Sequence, residues 1–325
     1  MTNFRNSLIL VTGGAGAIGS NLVKALHQEG AKIIVLDDLT SGVKNNIRGI
    51  SDIRLVEDSI TNEDILKKLF SQPINYVFHL AASFANQKSI ENPLYDLDVN
   101  TAGTLKLLEH SAKLKNLKRF VYVSSSCVYG SVKGLITEKT ILSPETPYAI
   151  SKLAGENYAL FFNRYYGLPT VVLRYFNSYG PGEYPGKYRN VIPNFFYLAM
   201  RGLPLKITGT GKERRSFTFV DDIVKATMKA ALSKKAIGEC FDIGSTNEIR
   251  IKDLAKKINN LTENKGGIKF VKRRKWDLIL RRFSSCEKAK GILGFKIRVG
   301  LDEGLKETYK WFLAMEKLQK NNFEK

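Results

Sequence analysis

A chain of 325 residues, 43% hydrophobic and 25% charged, suits a large α/β domain with a smaller lobe and a real core. Its net charge of +20 raises nucleic acid, anionic membranes or phosphate-bearing ligands as partners. The charges are spread, with one concentration at Lys272-Arg273-Arg274-Lys275 and Arg281-Arg282, and no basic stripe is interleaved with aromatics. Nucleic acid is therefore not expected, and neither is membrane insertion, because no apolar run approaches ~18–20 residues. Cys127, Cys240 and Cys286 are scattered, with no CxxC or Cys/His cluster, so no metal site is expected and reduced thiols fit a cytoplasmic location.

Met1 to Asn6 lead straight into a strand, with no charged-then-apolar leader. Leu8 to Thr12 is an apolar run typical of a buried parallel strand. Gly13, Gly16 and Gly19 follow with GxxGxxG spacing, then an amphipathic helix from Ala17 to Glu29 with Gly30 as its stop. A second strand, Lys32 to Leu36, ends in Asp37-Asp38. In this βαβ unit the glycines allow a tight turn whose N–H groups, including those near Ala17 and Ile18, can meet a pyrophosphate. Asp37, 18 residues after Gly19, can take ribose hydroxyls and repel a 2′-phosphate, which predicts NAD over NADP.

The alternation continues. Ile53 to Val56 reads as a strand ending at Glu57-Asp58-Ser59, and Ile65 to Phe70 lies in a helix. Tyr76 to Ala82 is a strand running into small residues that let a cofactor lie close, with His79 read as core. A long helix is predicted over Asn92 to Leu114. The strand Arg119 to Ser124 opens into Ser125-Ser126-Cys127, which faces the crevice beyond the carboxyl ends of the strands.

Tyr148 and Lys152 stand four apart on the next helix, which runs to Tyr166 and stops at Gly167. A phenol ionises near pH ~10, and a neighbouring cation lowers that value. Tyr148 is thus a candidate proton-transfer residue, Lys152 a partner for it and for the nicotinamide ribose, and a strand-end Ser a hydrogen-bonder to the reacting oxygen. Thr170 to Arg174 is a sixth strand. Gly and Pro then crowd Gly180 to Gly186, and a ligand-binding lobe is placed from there. It is expected to hold a helix at Arg189–Arg201, short strands at 205–207 and 240–244, and helices from Val220-Asp221-Asp222 to Leu232 and at 251–261, 284–293 and 301–318. The end, Lys320 to Lys325, is expected to fray.

At this point the sequence resembles the extended short-chain dehydrogenase/reductase superfamily, and within it the NAD-dependent sugar-nucleotide epimerase/dehydratase family. The resemblance spans nearly the whole chain: TGGAGAIGSNL, VLDDLTSG, FHLAA, VSSSCVYG, YAISK, RYFNSYGPGE, NVIPNF, RRSFTFVDD and KAKGILGF. It implies a Rossmann-type doubly wound parallel sheet over 1–177, rejoined by some later segments. Residues 178–325 become mainly a sugar-nucleotide lobe.

The resemblance also implies site residues. Besides the glycine turn, NAD contacts fall on Asp37, Asp38, Ser41 and Gly42. Asp58 and Ser59 lie by the adenine, Leu80, Ala81 and Ala82 along the cofactor, and Asn100, Tyr148, Lys152 and Tyr175 also belong to its site. The catalytic set is Ser125, Tyr148 and Lys152, with Ser126 sharing the Ser role. UDP-sugar contacts fall on Phe84, Ser125, Ser126, Asn177, Arg189 and Val191, with Arg215 and Arg281 gripping the diphosphate. A homodimer through a helix pair is implied as well.

Dehydratases of this kind carry an Asp-Glu pair after the catalytic Thr, and uronate decarboxylases a Glu. This chain has Ser126-Cys127, which favours simple C4 epimerisation of the UDP-glucose/UDP-galactose type. Some UDP-galactose epimerases have a Lys near the place of Phe84. Alternatives are epimerases of UDP-glucuronate or UDP-N-acetylhexosamine, a dehydratase or reductase, and a dinucleotide-sensing regulator, which usually lacks the Tyr or the Lys. Lys187 and Arg189, with Arg174 and Arg215, offer a spare cation that would suit a sugar carboxylate, although for Arg189 the nucleotide or a nearby acid such as Glu183 is the favoured partner.

Overall fold

The structure is a computed structural model that describes residues 4–323 except Lys133, Lys275 and Leu278. Seven parallel strands form its main sheet: β1 (Leu8–Thr12), β2 (Lys32–Leu36), β3 (Ile53–Val56), β4 (Tyr76–His79), β5 (Arg119–Ser125), β6 (Thr170–Tyr175) and β7 (Cys240–Ile243). Their spatial order is β7-β6-β5-β4-β1-β2-β3. The order reverses beside β1, where such sheets bind ligands.

The apolar runs are continuous because both faces of the sheet are covered. Ile9, Val11, Ile33, Val35 and Phe78 pack on one side with Leu22 and Leu26 of α1 (Ala17–Gln28). Leu10, Ile34, Leu36 and Val77 pack on the other with Leu66 and Leu69 of α2 (Glu63–Phe70). After α3 (Asn86–Glu91), the helix predicted over Asn92–Leu114 is interrupted. It consists of α4 (Pro93–Leu97), a wide π turn at Asp98–Gly103, and α5 (Thr104–Ala112). The turn sets Asn100 inward, and the Thr104 hydroxyl donates to the Asn100 carbonyl at 2.7 Å.

Helix α6 (Pro147–Tyr166) begins sharply. Pro147 occupies its first turn, and the Thr146 hydroxyl accepts from Ala149 N at 3.3 Å. Gly167, at φ 68°, ends it. In the lobe α7 (Val191–Ala199) starts two residues later than predicted, because Asn190 is extended at ψ 170°. Next come α8 (Val220–Leu232), α9 (Ile251–Leu261), α10 (Glu287–Leu293) and α11 (Leu301–Phe323). Fraying is expected over Lys320 to Lys325, but the backbone is helical through Phe323, and residues 324–325 lie outside the described residues.

β7 pairs with β6, while α8 and α10 cover the face already occupied by α1, so these later segments rejoin the large domain. The lobe has its own core of Ile192, Phe195, Phe196, Leu254, Ile258 and Phe312. Around it lie three small sheets: Glu248–Arg250 with Arg214–Ser216 and Arg281–Arg282, Ile268–Val271 with Leu205–Thr208, and Thr218–Phe219 with Ser178–Tyr179.

Candidate active site

A cavity of about 520 Å³ runs from the glycine turn, past the ends of β4 and β5, to the lobe. Gly13 adopts φ +70°, and a Cβ there would stand 2.6 Å from Ala81 N. A Cβ on Gly19 would overlap the Gly13 carbonyl. The turn therefore lies flat against the end of β4, and Gly16 caps α1 with no side chain and no acid in the first turn. The freed N–H groups fit a pyrophosphate. Gly13, Gly16, Ala17, Ile18 and Gly19 all line the cavity.

Asp37 stands at the end of β2. Its carboxylate accepts from Ala15 N at 2.9 Å and Leu39 N at 3.0 Å. Burial raises its pKa, opposed by these two N–H groups. A Cβ on Gly42 would lie 2.5 Å from Asp37 Oδ1, so the following loop folds onto the carboxylate. Asp38, Ser41, Asp58 and Ser59 complete this end, and Leu80, Ala81 and Ala82 line the middle.

His79 is a core residue, as expected. It is fully buried between the Thr12 and Thr104 hydroxyls, each at 2.8 Å, and burial holds its pKa well below the usual value. Asn100, expected at the cofactor, is not among the lining residues. Its amide accepts from Ser83 N at 2.8 Å and donates to Ser83 O at 3.2 Å and Asp96 at 2.9 Å. It braces the wall from behind.

At the reacting end, Tyr148, Lys152, Ser125, Ser126 and Phe84 line one corner. The Phe84 ring meets Tyr148 edge-on at 6.1 Å. Tyr148 lies deeply buried, and burial raises its pKa strongly; Cys127 adds to the rise, while the neighbouring Ser125 hydroxyl opposes it. The expected lowering of the Tyr148 pKa by Lys152 is absent from this state. Burial lowers the Lys152 pKa to about 7, against the pull of Asp96 and Glu156, so burial weakens its hold on the charge. The cation matters for the phenol only when something stabilises it, and ribose hydroxyls are suited to that.

Tyr175 lines the cavity and hydrogen-bonds Thr227 at 2.5 Å. Asn177, at φ 39°, donates to Ser216 O at 2.9 Å. Val191 lies at the start of α7. Four expectations about cations fare differently. Arg215 lines the cavity, held by Ile279 O at 2.9 Å and beside Asp277 at 3.7 Å. Arg281 does not line it. It pairs with Glu248 on the exposed edge, and its neighbour Arg282 points inward instead. Successive residues of a strand face opposite sides, so a one-residue error reverses the assignment. Arg174 is buried against Glu156 and Tyr129, away from the cavity. Arg189 also lines the cavity; it donates to the Ser41 carbonyl of the cofactor loop and lies near Glu183, the nearby acid expected as its partner.

The reading along the chain missed Asn86, Gln87, Trp276 and Arg282 as lining residues. The Trp276 indole donates to Gln87 Oε1 at 2.7 Å across the cleft. No spacing signal marks such a contact, because its partners are 189 residues apart.

A glycine turn beneath an acid, with a buried Tyr, Lys and Ser at the far end, defines a dinucleotide-dependent enzyme of the short-chain dehydrogenase type. Residues 9–244 match the NAD dependent epimerase/dehydratase family, and the chain belongs to it, with NAD as cofactor. Among solved structures it is similar to epimerase Mth375 from Methanothermobacter thermautotrophicus, with 45% identity, a TM-score of 0.95, and coverage of 98% of this chain and 95% of that one. It is also similar to UDP-glucose 4-epimerase from Thermotoga maritima with UDP-glucose, with 36% identity, a TM-score of 0.91 and coverage of 95% and 99%. A UDP-N-acetyl-alpha-D-glucosaminuronate decarboxylase of Bacillus cytotoxicus is 34% identical over 319 residues, 94% of this chain and 98% of the relative.

Proposed function

We propose that the protein interconverts nucleotide sugars, UDP-hexoses in the first place, at C4. The observation that carries this reading is the corner around Ser125 and Tyr148. The described carboxylates lining the cavity are Asp37, Asp38, Asp58, Glu183, Glu213 and Asp277, and none lies on the segments bearing Ser125 or Tyr148. Ser126-Cys127 follow Ser125, where water elimination calls for acid groups. NAD, when bound, takes a hydride from C4 of the sugar and returns it.

In this reading the Tyr148 oxygen accepts the proton of the 4-hydroxyl and later gives it back. The Ser125 hydroxyl hydrogen-bonds the same sugar oxygen, and Ser126 stands next to it. Lys152 holds ribose hydroxyls and, with its charge restored by them, favours the phenolate. Arg215 anchors the diphosphate, and Asn177 and Val191 border it. The 4-keto sugar turns about that anchor and presents its other face.

A homodimer is the accompanying proposal. Leu94 (80% exposed) and Leu97 on α4, with Ile150, Phe161 and Tyr165 (72% exposed) on α6, leave an apolar surface on two packed helices. A second copy laid helix against helix would cover it, and light scattering would report a monomer if this is wrong. No described helix is long and apolar enough to cross a membrane. Free Cys127, Cys240 and Cys286 suit a reducing cytoplasm.

The test of the reaction is incubation with UDP-glucose, UDP-N-acetylglucosamine and UDP-glucuronate without added reductant. The C4 epimer of at least one is expected, with retained NAD. A 4-keto-6-deoxy sugar or released CO₂ as product would replace this reading with dehydration or decarboxylation.

A further inference from the structure

Asp96 is a carboxylate on α4 that is 0% exposed and does not line the cavity. Among the described residues it forms no ion pair, and its hydrogen-bond partners are neutral. The Ser151 hydroxyl donates to Oδ1 at 2.5 Å, and the Asn100 amide donates to Oδ2 at 2.9 Å. Both oxygens accept, which is the arrangement of an ionised carboxylate. Burial raises its pKa, opposed by these two bonds and by the Lys152 and Lys88 charges. A buried charge held only by neutral donors is costly unless a cation stands near.

Lys152 is that cation. Ser151 is its chain neighbour, and the same hydroxyl lies 3.1 Å from the Tyr148 carbonyl. One side chain thus ties α4 to the turn that carries Tyr148 and Lys152. Against burial, the largest pull keeping the proton on Lys152 comes from Asp96, ahead of Glu156. Glu156, one turn further along α6, is already matched by the Arg174 guanidinium of β6, whose Nε donates to it at 3.0 Å. The other groups facing Lys152 carry no charge to replace Asp96. Burial keeps Tyr122 of β5 and Tyr148 protonated, and it keeps His79 of β4 neutral. Lys88 of α3 is half-buried over the Tyr95 ring at 5.0 Å, on the far side of Asp96's own helix turn from no reacting group.

We infer that Asp96 is a positioning residue of the proton-transfer site: its charge holds the Lys152 ammonium in the protonated form, and its bond to Ser151 fixes the turn from Tyr148 to Lys152. The inference rests on the roles given to Tyr148 and Lys152 in the C4-epimerase reading and adds the group that stands behind them.

The experiment follows the Cε resonance of Lys152 against pH in lysine-labelled, NAD-loaded protein, assigned by its absence from Lys152→Met. It is paired with kcat and KM against pH for whichever UDP-sugar is turned over. Asp96→Asn removes the charge and keeps the size. The Lys152 titration midpoint should fall by ~1 pH unit or more, the scale of a lost opposite charge nearby. The alkaline limb of kcat should move down with it, while KM stays within ~3-fold because Asp96 touches no ligand. Asp96→Glu, which keeps the charge, should recover most of the shift. Ser151→Ala removes the bond but not the charge, so it should lower Tm and leave the midpoint within ~0.3 unit of wild type.

An unmoved midpoint in Asp96→Asn, with only a lower Tm, would make Asp96 a structural brace and overturn the inference. Equal shifts in Asp96→Asn and Ser151→Ala would also overturn it, because the charge would then not be the cause. If no sugar is turned over, the C4 reading fails, and the titration midpoint still decides the role of Asp96. Asp96→Ser, with NAD retention as its folding control, takes the place of Asp96→Asn if that variant does not fold.

Discussion

The Tyr122 hydroxyl donates to the main-chain carbonyl of Lys152 at 3.0 Å, while the Lys152 ammonium lies 4.4 Å from the centre of the same ring. One buried ring on β5 therefore fixes both the backbone and the charge of the lysine on α6. Gly155 makes this possible, because a Cβ there would overlap the Tyr122 hydroxyl. Gly155→Ala should push the ring away. Overpacking of this kind costs ~1–3 kcal/mol, and a misplaced ammonium should lower kcat by ~10-fold or more. Denaturant melts and steady-state kinetics check both; unchanged kcat would remove Tyr122 from the positioning of Lys152.

The lysine itself predicts a pH dependence. Its folded pKa is about 7, against 10.5 as the ordinary value. Between these values the unfolded chain holds more protons than the folded one, so this group's penalty is full below pH ~7 and is relieved as pH rises towards ~10.5. In NAD-stripped protein, Lys152→Met removes that penalty. Its Tm gain over wild type should be larger at pH 6 than at pH 9, by ~3 °C or more. A gain that does not vary with pH would mean that the lysine keeps its charge.

Tyr148→Phe removes one hydroxyl from a buried ring packed against Phe84. Folding and NAD retention should persist, while turnover falls at least ~10²-fold, the lower end for a lost general acid/base. Retained turnover would take Tyr148 out of the chemistry.

Asp37→Ala should weaken NAD by ~10-fold or more, the scale of a lost hydrogen bond to a charged group. It should also narrow the gap between NAD and NADP, since no carboxylate then opposes a 2′-phosphate. The same carboxylate accepts from Ala15 N and Leu39 N, so the variant's unliganded Tm should fall too. Isothermal titration with both cofactors decides; equal affinity of wild type for the two would contradict the assignment.

Arg215 and Arg281 make a paired test. Arg215→Ala should raise the Kd of UDP by ~10-fold or more, since charge-assisted contacts to phosphate are strong. Arg281→Ala loses a pair with Glu248 and a contact to the Phe283 ring, neither facing the cavity, so UDP binding should stay within ~2-fold. The reverse pattern would mean that the strand Arg281–Arg282 faces the other way.

The glycine turn, Asp37 and the Tyr148/Lys152 pair were legible along the chain, because each depends on local order, whereas Ser125 was singled out among the strand-end serines by the family resemblance. A βαβ unit fixes its turn and its acid within 30 residues, and helical spacing sets a Tyr and a Lys on one face. Apolar runs gave all seven strands of the main sheet near their observed limits for the same reason, although the one at 240–244 was placed in the lobe. What folding alone decided depends on partners far apart in sequence or on burial. β7 joins β6 across 64 intervening residues, from Tyr175 to Cys240. The two-residue strand Arg281–Arg282 is too short for its period to reveal which arginine faces inward. Arg189 finds the Ser41 carbonyl, 148 residues away in sequence. The Lys152 pKa falls because the packed chain excludes water from a site whose residue types were known but whose dielectric was not.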